Sequence, residues 1–177
     1  MKTIIKILAS LGLIGAIAVV AFLFWLRILW TDVYSQQQFD EVVARAQAAP
    51  QLPGNFKATL LKVHPTILSD GYFKNMFRSI SNEREHIPCP CRWLSNMIMP
   101  DHQRMSRNTQ AFYGASFTWA VERRLDQERC LSLLLGRYDF TRGIRGIEHA
   151  SQAYFGDSLA NLSEDQHLEL IMKLRNR

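Results

Sequence analysis

The first thirty residues carry the clearest hydrophobic pattern in the chain. From Ile7 to Leu26 the sequence reads "ILASLGLIGAIAVVAFLFWL", a stretch without a charged residue. A helix needs about twenty such residues to cross a hydrocarbon core of roughly 30 Å. Lysines precede the stretch, and Arg27 and two tryptophans stand at its end, as they do at a membrane interface. The pattern predicts a cytoplasmic tail at 1–6 and a transmembrane helix at 7–29.

A cleaved secretory signal is the alternative for this segment. Signal cores are usually only about 7–15 apolar residues long, and a small-residue cleavage site follows them promptly. The small-residue run "ARAQAAP" starts at residue 44, which is too far downstream. We therefore expect a retained anchor. Because no second span follows, we expect residues 31–177 to lie outside the cytoplasm.

Beyond the anchor, apolar residues recur at helical spacing. Residues 36–48 form an amphipathic stretch that Pro50 ends, so that 30–55 is predicted as a juxtamembrane helix and linker. Apolar positions over 56–68 and over 73–80 predict two further short helices.

The middle of the chain changes from irregular to helical. Three prolines in 83–106 exclude a long helix there. Residues 108–137 are predicted to be mostly helical, with Asp126 as the N-cap of a second helix. No segment shows the alternation expected of a strand. The predicted fold class is therefore mainly α.

Local capping signals mark two helices at the end of the chain. A helix at 144–154 is predicted to end at Gly156, which would supply a left-handed C-cap. Ser163 and Gln166 have the spacing of a capping box at the start of the last helix. We take 56–177 as one domain.

Composition narrows the class of partner. The chain has 177 residues and a net charge of +5, with the basic residues dispersed along it. Such a charge does not favour a nucleic-acid partner, but it suits an anionic membrane surface or an anionic lipid substrate.

Three cysteines allow two kinds of site. In an oxidising compartment Cys130 could form a disulfide with Cys89 or with Cys91, leaving one thiol over. A metal site would need about four ligands, and His86 and His102 are the nearby histidines. We predict no metal site, and we favour plain buried thiols over a disulfide.

The segment "ERRLDQERCLSLLLGRYDFTRGIRGIEHASQAYFGDSLANLSEDQHLEL" carries a family resemblance. It resembles the second half of the peptidoglycan glycosyltransferase domain, glycosyltransferase family fifty-one, found in penicillin-binding proteins and monofunctional transglycosylases. The family's Gly-Ile-x-x-Ala-(Ala/Ser)-x-x-Tyr-Phe-Gly motif and the Leu-Ser/Thr turn after it are matched without a gap. The matching positions are Gly146, Ile147, Ala150, Ser151, Tyr154, Phe155, Gly156, Leu162, Ser163 and Gln166. The resemblance extends over about 56–177 and is specific from residue 120 onward.

The resemblance implies a lysozyme-like helical domain, and in the family such a domain polymerises lipid II into glycan strands. One glutamate of the family acts as general base on the acceptor hydroxyl, a role worth about 10²–10⁴-fold in rate. A second glutamate assists departure of the pyrophosphate, with or without a divalent metal ion.

The family's catalytic motifs are damaged in this chain. The first motif corresponds best to "SDGYFKNM", where serine replaces the glutamate and an aspartate follows it. No Asp or Glu occurs from His102 to Val121, so the second glutamate is absent under any local alignment of that run. The positions that correspond to the family's catalytic residues are Ser69, Asp70, Ala111 and Gly114. We expect no catalytic residue and no cofactor, because the carboxylates that would accompany a metal are missing.

The resemblance suggests weak substrate-binding positions at Arg124, Gln127 and Arg129, where Gln127 replaces a family lysine. For the arginines, which also include Arg123, we favour a solvated helix face. The acidic residues expected to pair with them within the helices are Glu122, Asp126 and Glu128.

The preferred hypothesis is a pseudoenzyme in a bacterial cytoplasmic membrane with its domain facing the periplasm. It would bind lipid II, a glycan strand, or wall-synthesis enzymes such as penicillin-binding proteins. An active transglycosylase that uses Asp70 as a displaced base is one alternative. An anchored interaction module unrelated to the cell wall is another, and a decayed reading frame is a fourth reading.

Overall fold

The computed structural model describes residues 2–80, 88–98, 106–141 and 143–175, and these are mainly helical, as predicted. Nine α-helices and two short strands follow one another within the described residues. The helices are α1 Lys2–Ile28, α2 Gln36–Ala48, α3 Gly54–Val63, α4 Tyr72–Ile80, α5 Pro90–Ile98, α6 Arg107–Glu122, α7 Gln127–Arg137, α8 Ile147–Phe155 and α9 Glu164–Arg175. The strands are β1 Asp139–Thr141 and β2 Ile144–Arg145, and single 3-10 turns lie at Leu29–Asp32 and Leu159–Asn161.

Helix α1 differs from the other helices in its surroundings. The stretch Leu11–Asp32 has a mean hydropathy of 2.3 and is long and apolar enough to cross a membrane. Every residue from Leu11 to Trp25 is exposed, so this helix does not serve as the core of the domain.

The end of α1 is nevertheless built into the domain. The Trp30 backbone N–H donates to Ser116 Oγ of α6 at 2.9 Å. The Trp30 ring lies 4.6 Å from that of Phe39 in α2, and the Tyr34 ring lies 4.7 Å from that of Phe117 in α6. Residues from the predicted juxtamembrane segment therefore share one hydrophobic core with α6 and α7.

The capping signals read from the sequence are confirmed. Asp126 accepts a hydrogen bond from the Arg129 N–H at 2.7 Å, which starts α7. Ser163 and Gln166 exchange both bonds of a capping box, at 2.8 and 3.3 Å. Gly156 ends α8 in the left-handed conformation, with φ at 74°. These signals succeed because each depends only on residues within one turn.

The family-motif residues occupy the centre of this C-terminal unit. Ile147 and Ala150 are buried, while Tyr154 and Phe155 are half-buried and pack against the core. Gly146 has a φ of 90°, and a Cβ there would lie 3.0 Å from the Gly136 carbonyl oxygen, so close contact between α7 and α8 requires glycine at this position.

Two short strands accompany the helices, although no segment shows strand alternation. β1 and β2 pair antiparallel, with Asp139 opposite Arg145 and Thr141 opposite Ile144. Strands of three and two residues are too short to show alternation, so periodicity could not reveal them.

Two other corrections concern local structure. The region 83–106, predicted to be irregular, contains helix α5, which begins at Pro90 because proline is favoured in the first turn. The expectation of plain buried thiols is wrong for Cys91 and Cys130, which form a disulfide between α5 and α7, while Cys89 is a buried free thiol.

Replacing Gly156 tests the left-handed C-cap. We expect Gly156→Ala to lower the free energy of unfolding by about 1 kcal/mol, since an L-residue with a Cβ is disfavoured at positive φ. Gly136→Ala is the matched control, because Gly136 lies in helix α7 and a Cβ there would meet nothing within 4 Å. It should raise the free energy of unfolding by about 0.5–1 kcal/mol. Equal effects of both changes in denaturant unfolding would contradict the cap assignment.

Candidate functional site

The aspartate that matches the family's first motif is buried rather than presented to solvent. Asp70 lies just before α4 and is 1% exposed. Its Oδ1 is 3.1 Å from Lys74 Nζ, and its Oδ2 is 2.9 Å from Arg78 Nε. Its backbone N–H donates to the Thr66 carbonyl at 2.9 Å, and this bond closes the turn before α4. Asp70 is therefore part of an ion-pair cluster that fixes α4.

Ser69 stands where the family has its glutamate. It is exposed, and its hydroxyl donates to the Thr66 carbonyl at 3.3 Å. Ser69 Oγ also lies 3.5 Å from Asp70 Oδ1, at the limit of a hydrogen bond. A hydroxyl is a much weaker proton acceptor than a carboxylate, so Ser69 differs from the family's glutamate in the property that general-base catalysis uses.

A second carboxylate lies across the same turn. Glu122 is the last residue of α6, and its Oε1 accepts from the Tyr72 backbone N–H and from Gln127 Nε2, both at 2.7 Å. The Cys89 thiol lies 3.8 Å from the same oxygen. A Cβ at Gly71 would be 3.4 Å from both carboxylate oxygens, so glycine lets the backbone approach this side chain.

The surroundings of Glu122 change its titration. Burial raises the pKa of the Glu122 carboxyl above its ordinary value of 4.5, and the bonds from Tyr72 and Gln127 oppose that rise. Burial also raises the pKa of the Cys89 thiol to about 12, so this thiol stays protonated at neutral pH. The site thus holds one paired carboxylate, Asp70, and one half-buried carboxylate of raised pKa.

The sequence pointed to Glu122 only as a pairing partner for arginines. Its place in the site depends on contact between α4 and α6, fifty residues apart, which no local pattern reports. One available signal is its position as the first carboxylate after the acid-free run that ends at Val121, at the end of a helix.

Gln127 was predicted as a weak substrate-binding position, but its amide is occupied on both sides. It is 8% exposed, and its Oε1 accepts from the Cys91 backbone N–H at 3.0 Å. Its Nε2 donates to Glu122, as above. Gln127 thus links α5, α6 and α7, next to the Cys91–Cys130 disulfide.

The expected intrahelical pairing of the arginines is wrong. Arg124 Nη2 lies 3.6 Å from Asp40 Oδ1 on α2. Arg129 Nη1 donates to the carbonyls of Gln47 and Ala49 at the end of α2, at 3.1 and 3.3 Å. Glu128, expected to pair with an arginine, lies 2.9 Å from Lys57 Nζ instead. These arginines hold α2 against the domain because α2 folds back over α6 and α7.

The position of the family's second glutamate falls on α6. Ala111 is exposed and Gly114 is half-buried, and the Gly114 carbonyl accepts from Thr118 Oγ1 at 2.7 Å. Over 106–121, the described part of that run, the chain has no carboxylate to offer.

No metal centre is assembled in the part of the chain that the structure describes. There, no three His, Cys, Asp or Glu side chains come together in a way that could hold an ion. His86 and His102 lie outside the described residues.

Part of the chain is similar to known proteins. A family model described as Transglycosylase matches residues 94–176. A biosynthetic peptidoglycan transglycosylase from Burkholderia thailandensis is 37% identical over 59 residues, which cover 33% of this chain and 23% of that protein. The predicted resemblance is confirmed for residues 94–176, which are similar to a transglycosylase domain, and the chain aligns with about a quarter of the length of this curated relative.

The raised pKa of Glu122 has a consequence for stability. The folded state binds the Glu122 proton more tightly than the unfolded chain, so this contribution is full below pH 4.5 and is lost as pH rises through the raised pKa. We expect Glu122→Gln, which keeps an oxygen for the Tyr72 N–H, to gain stability relative to the native chain between about pH 4 and 8. Melting temperatures measured across that range should diverge, with the variant favoured at high pH.

Glu41→Gln is the matched control, because it removes an exposed carboxylate on α2. Its melting temperature should follow that of the native chain at a constant offset. Parallel curves for Glu122→Gln as well would contradict the assigned burial effect.

Proposed function

We propose that this transglycosylase-like chain is a membrane-anchored, non-catalytic member of the cell-wall machinery. It would bind lipid II or a glycan strand, or wall-synthesis enzymes such as penicillin-binding proteins, as a regulator or scaffold. The observation that carries the proposal is the burial of Asp70 between Lys74 and Arg78.

The burial of Asp70 supports the view that it is not a general base. A base must come within hydrogen-bond reach of the hydroxyl that it deprotonates, about 2.6–3.2 Å. Both oxygens of Asp70 face cationic side chains, and its side chain is 1% exposed. A sugar hydroxyl would have to displace Lys74 or Arg78 to reach this carboxylate, which would then lose a charge-assisted partner.

The other positions that would support transfer chemistry are also occupied by different groups. Ala111 or Gly114 stands where the glutamate that assists the leaving group would be. Gln127 replaces the lysine, and its amide is taken up by Glu122 and Cys91. Retained packing with altered chemistry supports a binding role for the domain rather than turnover.

Membrane anchoring is the second part of the proposal. The large apolar side chains of α1 from Leu11 to Trp25 are 40–67% exposed, so lipid would be needed to cover this surface. We place α1 across a bacterial cytoplasmic membrane, with the domain on the periplasmic side.

One observation favours a second candidate function, weak transglycosylase activity. Glu122 combines a raised pKa with a place beside the family's first motif, and perturbed carboxylates are common among general bases. The contacts from Tyr72, Cys89 and Gln127 all go to its Oε1. In this reading Oε2 would accept the proton that the earlier hypothesis assigned to Asp70.

A lipid II assay separates the two candidates. The full chain in detergent is incubated with labelled lipid II, and both polymer formation and binding are measured, with an active peptidoglycan transglycosylase in parallel. We expect binding without polymer. Glu41→Gln serves as the exposed-carboxylate control and should behave as the native chain does.

Other outcomes identify which part of the proposal fails. Polymer that is lost in Asp70→Asn by about 10²-fold or more would overturn the non-catalytic reading in favour of Asp70 as the base. Polymer that is lost in Glu122→Gln and kept in Asp70→Asn would establish the second candidate. Absence of both binding and polymer, together with no co-purification of penicillin-binding proteins, would favour a module unrelated to the cell wall.

A further inference from the structure

A cationic cavity lies where the end of α1 meets α6. It has a volume of about 190 Å³. Three arginines line it: Arg27 in the last turn of α1, and Arg123 and Arg124 just after α6. The aromatic part of its wall consists of Trp30, Phe39 and Trp119.

The positive charge of this cavity is only partly balanced. Arg124 lies 3.6 Å from Asp40, whose carboxylate also accepts from Gln36 Nε2 at 3.3 Å. Arg27 and Arg123 are exposed, and neither forms an ion pair with any residue that the structure describes. Three arginines and no carboxylate line the cavity, so an anion that entered it would find a net positive charge.

The position of the cavity along α1 is fixed by contacts with α6. The Phe112 ring lies 6.2 Å from the rings of both Phe22 and Trp25. One α6 turn further on, Ser116 accepts from the Trp30 N–H. The two helices thus run in the same direction here, and the cavity lies just past the end of the apolar stretch of α1.

If α1 spans a bilayer, the end of its apolar stretch lies at the depth of the lipid phosphates. Tryptophans mark the interface, and arginine follows the apolar stretch directly. This placement rests on the proposed membrane anchoring and is independent of whether the domain turns over substrate.

We propose that this cavity binds the phosphate head group of an anionic phospholipid from the leaflet that surrounds the end of α1. Guanidinium groups bind phosphate oxygens through paired N–H donors, which suits the free forks of Arg27 and Arg123. The tryptophan rings would pack on the glycerol and acyl carbons. At about 190 Å³ the cavity is smaller than the about 300 Å³ at which pockets for drug-sized ligands begin, so it suits a head group better than a disaccharide.

Tryptophan fluorescence offers a direct test, because two of the four tryptophans of the chain line the cavity. The full chain in neutral detergent is titrated with dihexanoyl phosphatidylglycerol. A saturable change in emission is expected. Dihexanoyl phosphatidylcholine has the same phosphate but also a positively charged choline, so it should bind at least about tenfold more weakly.

Variants assign the signal to the cavity. Arg123→Gln should weaken phosphatidylglycerol binding about tenfold or more, because a charge-assisted contact is lost. Arg137→Gln removes an exposed arginine at the far end of α7 and should leave the titration unchanged. Equal loss in both variants, or in neither, would overturn the assignment of the site.

Two further experiments test which lipid supplies the phosphate and whether the chain is anchored in a membrane. Saturation by a short prenyl diphosphate at lower concentration than by phosphatidylglycerol would overturn the phospholipid assignment in favour of a lipid-linked diphosphate. Fractionation of the expressed chain with the water-soluble proteins would remove the anchoring premise instead. Membrane fractionation together with a flat phosphatidylglycerol titration would refute the head-group site alone.

Discussion

The candidate site depends on how Asp70 and Glu122 are held. Asp70 is buried and pairs with the exposed Lys74 and the half-buried Arg78 of α4, and Glu122 accepts hydrogen bonds from the first backbone N–H of α4 and from the side chain of Gln127. Taking a carboxylate out of water is costly, and only good cationic or hydrogen-bonding partners offset that cost. The pairs of Asp70 are local to the start of α4, whereas the bonds of Glu122 join α4, α6 and α7.

Features that depend on neighbouring residues could be predicted from the sequence, whereas features that depend on contacts between helices could not. Caps such as Asp126 and Gly156 are local, since the residue and its partner lie within one turn, and these predictions were correct. The disulfide partner of Cys130, the placement of Arg124 against Asp40 and the environment of Glu122 all depend on contacts between distant segments. One sequence without its three-dimensional contacts cannot supply them, because composition and spacing do not report which helix faces meet.

The join between α1 and the domain gives the chain a second polar centre. Aromatic packing of Trp30 and Phe39 and the bond from Trp30 to Ser116 connect the apolar helix to α6 without a flexible spacer. That rigid connection brings Arg27 beside Arg123. The transglycosylase-like segment and the segment before it thus meet in one core, and the unbalanced charge lies at the level where a membrane would supply the counter-charge.

The central claim is that the Asp70 carboxylate serves packing rather than proton transfer. A double-mutant cycle measures this most directly: the free energies of unfolding of the native chain, Asp70→Asn, Arg78→Gln and the double variant are compared in one detergent. The account predicts that the double variant loses less stability than the sum of the single variants, with a coupling energy of about 1–3 kcal/mol. Losses that add within about 0.5 kcal/mol would contradict it, because they would show a carboxylate that is not committed to its cationic neighbour.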